Sequence, residues 1–138
     1  MKSRIACGLT AVTLLFAAPL AAQSESSDSL ALGRKFTGWF FDGDADSLWN
    51  VMGEATRGRV GSVEHIENMM DQLINQIGYE AEVVSESAKV RDDGVLEYRR
   101  LSEYDLAPEL IVWIWRINDE GQIVGMGIRP ESQAPPAH

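Results

Sequence analysis

The chain has 138 residues, of which 45% are hydrophobic, and this length suits a single domain with one apolar core. Its 12 basic and 21 acidic residues give a net charge of −9 at pH 7. Such an acidic surface repels nucleic acids and anionic membranes, and we expect neither as a partner. Solubility is a sufficient reason for the acidity.

The first 22 residues have the layout of a secretory signal peptide. The basic segment Met1–Arg4 precedes the apolar run Ile5–Ala22, and the polar segment Gln23–Ser27 follows it. Cleavage after Ala22 would leave 116 residues with a net charge of −11, and would remove Cys7, the only cysteine. We therefore predict a periplasmic or secreted protein without a disulfide or a thiolate metal site. The alternative is an uncleaved membrane anchor, because about 18 apolar residues are marginally long enough to span a bilayer.

Residues 28–130 predict a single α+β domain. A serine-rich linker, residues 23–27, precedes it, and a polar, proline-rich tail at residues 131–138 is predicted to have no fixed structure. Helical patterns occupy the first half of the domain and strand patterns the second. This order is typical of folds in which helices pack against one antiparallel sheet.

Three helices are predicted before residue 79. Ser27 or Asp28 can cap the first, Asp44 can cap the second, and the third extends from Ser62 to the stop signal Gly78. The connection Gly53–Gly61 predicts no regular structure. Apolar residues at helical spacing are expected to face the core: Leu32, Phe36, Trp39, Phe40, Leu48, Trp49, Val51, Met52, Val63, Ile66, Met69, Met70, Leu73, Ile74 and Ile77.

The second half predicts two β-hairpins. Their loops, Asp92-Asp93-Gly94 and Asp119-Glu120-Gly121, each combine a type I turn with a glycine in the left-handed region. The first loop sets a register that pairs Glu86 with Arg100, Ala88 with Tyr98, Val84 with Ser102 and Glu82 with Tyr104. We therefore expect a four-stranded antiparallel sheet, with a polar group on one face of its first hairpin.

The second hairpin is apolar on both faces. If Asn118 and Gln122 flank its loop, Trp115 lies opposite Gly125 and Trp113 opposite Gly127. The other face then carries Val112, Ile114, Val124, Met126 and Ile128. A sheet that is apolar on both sides has to be covered on both. We expect the helices and a pocket on the tryptophan face, and a second subunit on the other.

Four short motifs accompany this order of helices and strands: Phe40–Trp49 (FFDGDADSLW), Tyr98-Arg99-Arg100, Asp119–Ile123 (DEGQI) and Ile128-Arg129-Pro130. Together they resemble the nuclear transport factor 2 superfamily. More narrowly, the chain is similar to a bacterial family of unknown function found alone after a signal peptide or ahead of serine hydrolase domains. The resemblance covers about residues 29–130. It implies a cone-shaped fold, a pocket between helices and sheet, and frequent dimerisation through the sheet.

That superfamily contains isomerases, dehydratases and members without any chemistry, so the resemblance does not choose a function. Glu86 is the candidate base for an isomerase or dehydratase, with Tyr98 or Tyr104 donating to a developing oxyanion. However, Arg100 opposite Glu86 would lower the pKa of that carboxyl, which favours a structural ion pair. Arg100 is also a candidate anchor for an anionic ligand, because its planar fork suits a carboxylate or a phosphate.

Trp113 and Trp115 are candidates to line an apolar cavity, or they simply pack on their glycine partners. The predicted ligand-binding residues are Arg100, Tyr98, Tyr104, Trp113 and Trp115. His65 and His138 form no metal site with each other, and no motif for a cofactor or a nucleophile is present. We therefore predict no metal and no cofactor.

Three functions follow from these observations. The first is an exported, non-catalytic domain that binds a small apolar or amphipathic molecule, associates with itself as a homodimer, or does both. The second is a small isomerase or dehydratase. The third is an interaction module that assists a separate hydrolase, and it depends on the resemblance alone.

Overall fold

A computed structural model describes the backbone of residues 20–137 and the side chains from residue 27 onward. The predicted signal peptide, residues 1–22, lies almost wholly outside this range. Four α-helices precede four strands, and a short 3₁₀ turn follows them. In chain order these elements are α1 (Leu20–Phe41), α2 (Ala45–Val51), α3 (Glu54–Val60), α4 (Val63–Ile77), β1 (Glu80–Val90), β2 (Leu96–Tyr104), β3 (Ile111–Ile117), β4 (Ile123–Pro130) and the 3₁₀ turn (Glu131–Gln133). The predicted α+β class is confirmed.

Helix α1 begins earlier than the sequence predicts. The expected cap at Ser27 or Asp28 is not a helix start, because the helix runs from Leu20 through the segment predicted as a linker. Its end is as expected, since Gly43 has a φ of 74° immediately after the last turn. In the part of the chain that the structure describes, no helix is both long enough and apolar enough to cross a membrane.

The other helices begin at the predicted caps, and one helix was not predicted. Asp44 accepts from the backbone N–H of Ser47 at 3.1 Å and caps α2, and Ser62 caps α4. The expectation of irregular structure between Gly53 and Gly61 is wrong, because Glu54–Val60 forms helix α3. This helix has too few apolar residues to show a period, and its position against β4 stabilises it.

The four strands form one antiparallel sheet in the order β1-β2-β3-β4. Both predicted turns are confirmed, since Gly94 and Gly121 have φ values of 81° and 77°. Asn118 and Gln122 flank the second loop as expected, and the N–H of Asn118 donates to Gln122 O at 2.9 Å. We name the side of the sheet that contacts the helices the helix face, and the opposite side the outer face.

The register of the first hairpin is correct near its loop and wrong beyond it. Glu86 lies opposite Arg100 and Ala88 opposite Tyr98, as predicted. Bulges then add one residue to β1 at Val84 and another at Ala81. Consequently Val83, not Val84, pairs with Ser102, and Glu80, not Glu82, pairs with Tyr104.

A bulge also changes the second hairpin. Ile117 pairs with Ile123, but Arg116 pairs with Gly125, so Val124 is the extra residue. The predicted pairs of tryptophan and glycine are therefore wrong. Trp115 lies opposite Met126 and Trp113 opposite Ile128, while Gly125 and Gly127 lie on the outer face opposite Arg116 and Ile114.

The core lies between the helices and the helix face. Trp113, Trp115 and Tyr98 are fully buried there with Phe36 and Phe40 of α1. Gly33 permits the close approach of α1, since a Cβ at this position would lie 2.2 Å from the Tyr98 ring. The helix therefore rests directly on the ring.

The outer face is covered by the chain itself. Val112 and Ile114 are only 5% exposed on this side. Ala134 and Pro135 border one cleft with Val112, and Pro135 borders another with Ile114, so the tail lies beside both residues. The tail begins with the 3₁₀ turn Glu131–Gln133. The expectation that Met126 shares this face with Val112 and Ile114 is wrong, because Met126 lies opposite Trp115 and packs against the helix-side core.

Candidate functional site

Four charged side chains meet where α1 crosses β1 and β2 on the helix face. Arg100 is central, donating from Nε to Glu80 at 2.7 Å and from Nη1 to Glu86 at 2.8 Å. Its Nη2 also donates to Glu80. Arg34 of α1 donates to the other oxygen of Glu86 from Nε at 2.9 Å and from Nη2 at 2.7 Å. The predicted pair of Glu86 and Arg100 is confirmed, and it is part of a chain of ion pairs that ties α1 to the sheet.

Tyr98 also belongs to this cluster, through its hydroxyl. Its ring is buried under Gly33, and its hydroxyl donates to Oε1 of Glu86 at 2.5 Å. Glu86 therefore accepts hydrogen bonds from three side chains, and its own side chain is 12% exposed. A carboxylate held by this many donors is fixed in position as well as in charge.

The cluster contains no group that exchanges a proton near neutral pH. Burial would raise the pKa of Glu86, but the hydrogen bonds from Arg34, Tyr98 and Arg100 outweigh it and hold the pKa at about 2. Burial, with the hydrogen bond to Glu86, raises the pKa of Tyr98 to about 12. At pH 7 Glu86 is ionised and Tyr98 is protonated. Neither is poised for general acid or base catalysis.

Three buried polar atoms beside this cluster have no hydrogen-bond partner among the described residues. They are the hydroxyls of Ser102 and Tyr104 and the indole Nε1 of Trp113. Tyr104 is 2% exposed and the other two residues are fully buried. Burial raises the pKa of the Tyr104 hydroxyl, and the charge of Glu80 and the approach of the hydroxyl to that carboxylate add to the effect, so Tyr104 remains protonated. The Ser102 hydroxyl also lies close to the Glu80 carboxylate and helps to lower its pKa. The three atoms supply donors on the helix face, next to the charge of Glu80.

Trp115, the second tryptophan of β3, does have a hydrogen-bond partner. Nε1 of Trp115 donates to Oγ1 of Thr37 at 3.0 Å, and the Thr37 hydroxyl donates onward to the carbonyl of Gly33 at 2.9 Å. Two indoles on the same face and two residues apart therefore have different polar environments. The one without a partner is Trp113, next to Phe41 and Tyr104.

All five predicted ligand-binding residues lie on the helix face and come together. Three are fully buried, and the side chain of Arg100 is 16% exposed. None of the five lines the clefts of about 950, 450 and 410 Å³ that the described residues form on the outer face and along β4. Phe41, half-buried at the end of α1, packs on Trp113 and Tyr104 at centroid distances of 5.3 and 5.7 Å.

Sequence reasoning missed Arg34, Glu80 and Ser102. An arginine on a helix surface gives no signal of a partner 52 residues away. Glu80 was missed because two bulges decide which carboxylate of β1 reaches Arg100. Ser102 was assigned to the right face, but its lack of a partner depends on packing around it.

A second carboxylate cluster lies on the outer face. Glu97 is 5% exposed and pairs with Arg91 at 3.2 Å, Arg99 at 3.3 Å and Arg116 at 3.4 Å. Burial would raise the pKa of Glu97, but the hydrogen bonds from the three arginines lower it. Arg99 also donates to the tail, from Nη2 to Pro135 O at 2.7 Å. This cluster therefore links the sheet to the tail.

Scans of family models, curated proteins and solved structures each return no match to this chain. Within the described residues, no group of three histidine, cysteine, aspartate or glutamate side chains is arranged to hold a metal ion. The geometry of the helix face is therefore the main guide to function.

Proposed function

We propose that this chain is an exported, non-catalytic domain that binds a small amphipathic molecule on the helix face of its sheet. The observation that carries the proposal is the buried Nε1 of Trp113, which has no hydrogen-bond partner among the described residues. The hydroxyls of Ser102 and Tyr104 lie beside it, close to the Glu80 carboxylate. Leaving a buried polar group unpaired costs about 1–3 kcal/mol, so native proteins keep few of them. A ligand with one or two acceptor atoms would satisfy these donors and recover that cost.

The surroundings of the three atoms favour an amphipathic molecule over a purely polar one. Phe41, which packs on Trp113, is half-buried and offers aromatic surface, and Val83, which pairs with Ser102, is 39% exposed. Leu106 is 63% exposed just beyond the end of β2. An apolar body against these side chains and an acceptor end near Tyr104 would match the site.

The same geometry disfavours the isomerase or dehydratase. Glu86 would have to accept a proton near neutral pH, but its pKa is about 2 and three donors occupy its oxygens. Arg100 is committed to Glu80 and Glu86 and has little capacity left for an anionic ligand. In this proposal the ion pairs of Arg100 with Glu80 and Glu86 therefore border the binding site.

Export rests on the pattern of residues 1–22, and the fold relationship to nuclear transport factor 2 rests on the short motifs. Self-association through the sheet remains part of the proposal. The burial of Val112 and Ile114 within one chain leaves less apolar surface for it than the sequence predicted.

The indole signals of Trp113 and Trp115 provide a test with a built-in control. The purified chain is screened by thermal shift against a library of amphipathic molecules and examined by native mass spectrometry for a retained molecule. A bound molecule is expected to raise the melting temperature and to shift the Nε1 resonance of Trp113. The Trp115 resonance should move little, because Thr37 already accepts its proton.

Tyr104→Phe supplies a second measurement, since it removes one of the three polar atoms and keeps the ring. We expect this variant to bind at least about fivefold more weakly, as loss of one hydrogen bond of about 1 kcal/mol predicts. A chain that carries no retained molecule and gives neither a thermal shift nor a Trp113 shift with any library member would contradict the proposal.

A further inference from the structure

The outer face of the sheet has an apolar strip with an arginine beside it, an arrangement that suits an extended peptide. Leu101 of β2 pairs with Val112 of β3, and Ile114 pairs with Gly127 of β4, so these residues form a continuous apolar strip. Arg99 stands beside the strip, opposite Ile114. Gly127 has no side chain to fill the space above β4, so a second segment can lie close to the backbone there.

The tail already occupies part of this strip in an extended conformation. Ala134 has φ −73° and ψ 141°, which are polyproline II values, and Pro135 and Pro136 continue from it. A polyproline II segment makes no internal hydrogen bonds, so its carbonyls need donors from outside. Arg99 supplies them, with Nη2 2.7 Å from Pro135 O and Nη1 3.5 Å from Pro136 O.

Arg99 is held in place to make these contacts. Its Nη1 also donates to Oε1 of Glu97 at 3.3 Å, and its side chain is 14% exposed. Glu97 is buried and shared with Arg91 and Arg116. The guanidinium is therefore a fixed fork directed at two successive carbonyls, and prolines suit it because they have no N–H that would need an acceptor.

The tail itself is weakly attached. All its side chains from Glu131 to Ala137 are exposed except that of Ala134, which is half-buried. Besides those from Arg99, the hydrogen bonds from the described tail to the domain are one from Glu131 N to Leu110 O at 2.8 Å and a long one from Ser132 N to a Glu109 carboxylate at 3.4 Å. A tethered segment competes at an effective concentration in the millimolar range, so a free segment with a few more contacts can replace it.

Space for further contacts lies beside Ala137. A cleft of about 950 Å³ beside the first hairpin loop is lined by Ser87, Lys89, Arg91 and Ala137, among others. A segment longer than the tail would continue along the sheet into this cleft. The groove is therefore larger than the segment that occupies it.

We propose that the outer face is a docking groove for an extended, proline-containing segment of a partner protein, and that residues 131–137 occupy this groove in cis. The recognised chemistry is a pair of consecutive prolines between small residues, with carbonyls directed at Arg99. This proposal is independent of ligand binding on the helix face, so either can fail alone.

The test uses the full chain with Pro135→Ala and Pro136→Ala, which loosens the tail without removing it. Methyl resonances of Leu101, Val112 and Ile114 report on the groove. They are expected to shift from their wild-type positions, and to return toward them when a synthetic peptide with the sequence of residues 131–137 is added. A control peptide with alanine in place of both prolines should bind at least about tenfold more weakly.

Arg99→Lys in the same double variant keeps the charge and removes the fork. It is expected to weaken the peptide at least about fivefold, while circular dichroism shows an unchanged fold. Equal binding of the two peptides, or no methyl shifts at millimolar peptide, would overturn the proposal. A concentration-dependent dimer of the double variant in sedimentation would also overturn it, because the exposed strip would then be an interface between copies.

Discussion

The two faces of the sheet are both apolar, but they are covered in different ways. On the helix face, α1 lies directly on Tyr98, and the cover is a packed layer of large aromatic side chains. On the outer face, the cover is the tail, a 3₁₀ turn at Glu131–Gln133 followed by an extended segment that Arg99 holds. The contrast teaches that low exposure alone does not measure how firmly a surface is covered. Val112 and Trp113 are both buried, yet only one of them lies beneath a helix.

The largest effect is expected where α1 meets the sheet. Gly33→Ala would place a Cβ 2.2 Å from the Tyr98 ring, so the helix must move or the ring must rotate. We expect a loss of about 3 kcal/mol or more in the free energy of unfolding, measured by urea denaturation.

Gly38→Ala is the matched control in the same helix. Nothing lies within 4 Å of a Cβ at Gly38, and alanine favours the helix by about 0.5–1 kcal/mol. The control should therefore be neutral or stabilising. If both variants unfolded at the same urea concentration, the helix would not rest on Tyr98 as described.

A smaller loss in the free energy of unfolding is expected at low pH. The pKa of Glu86 is lowered from 4.5 to about 2 in the folded state, so its contribution to stability is complete above about pH 4.5. It is lost progressively as the pH falls toward 2, because protonation then favours the unfolded chain. Urea denaturation across this range should show a weaker pH dependence for Glu86→Gln than for the unchanged chain.

Glu97→Gln tests whether the two carboxylate clusters are independent of each other. Glu97 has Arg91, Arg99 and Arg116 as partners and shares none of them with Glu86. An NMR titration of Glu86 should therefore give a pKa of about 2 in this variant too. A substantial change would mean that the two faces are coupled through the sheet.

A small difference in stability is expected between variants of the two tryptophans of β3. Trp115→Phe removes the donor to Thr37, whereas Trp113→Phe removes an Nε1 atom that has no partner among the described residues. Both lose similar ring area, so Trp115→Phe should cost about 1 kcal/mol more in urea denaturation. Equal costs would indicate that Trp113 has a hydrogen-bond partner in solution.

Local signals in the sequence predicted much of this fold. Asp44, Ser62 and Gly78 mark helix ends because capping depends on one residue and its near neighbours. Gly94 and Gly121 fix the two hairpin loops for the same reason. Helix α3 was missed because its stability comes from packing against β4, which no local pattern records.

The site was predictable only in part. The pair of Glu86 and Arg100 followed from the loop, because no bulge lies between them and the turn. Glu80 and the true neighbours of Trp113 lie beyond bulges, and a bulge leaves no mark in composition or period. The position of the tail on the outer face was not predicted. A proline-rich composition indicates disorder, and the sequence does not show that Arg99 donates to the carbonyls of the tail.

The bulge at Val124 has a consequence for how the length of this chain can vary. Ile123 and Met126 are separated by an odd number of positions, yet both face the core, because Val124 absorbs the extra step. A straight strand lacking Val124 would keep every other pair in place. We expect its deletion to leave the melting temperature far less changed than deletion of Met126, which would shift the phase of the rest of the strand. Val124 is therefore the position in β4 where an evolving sequence can lose a residue and keep its sheet.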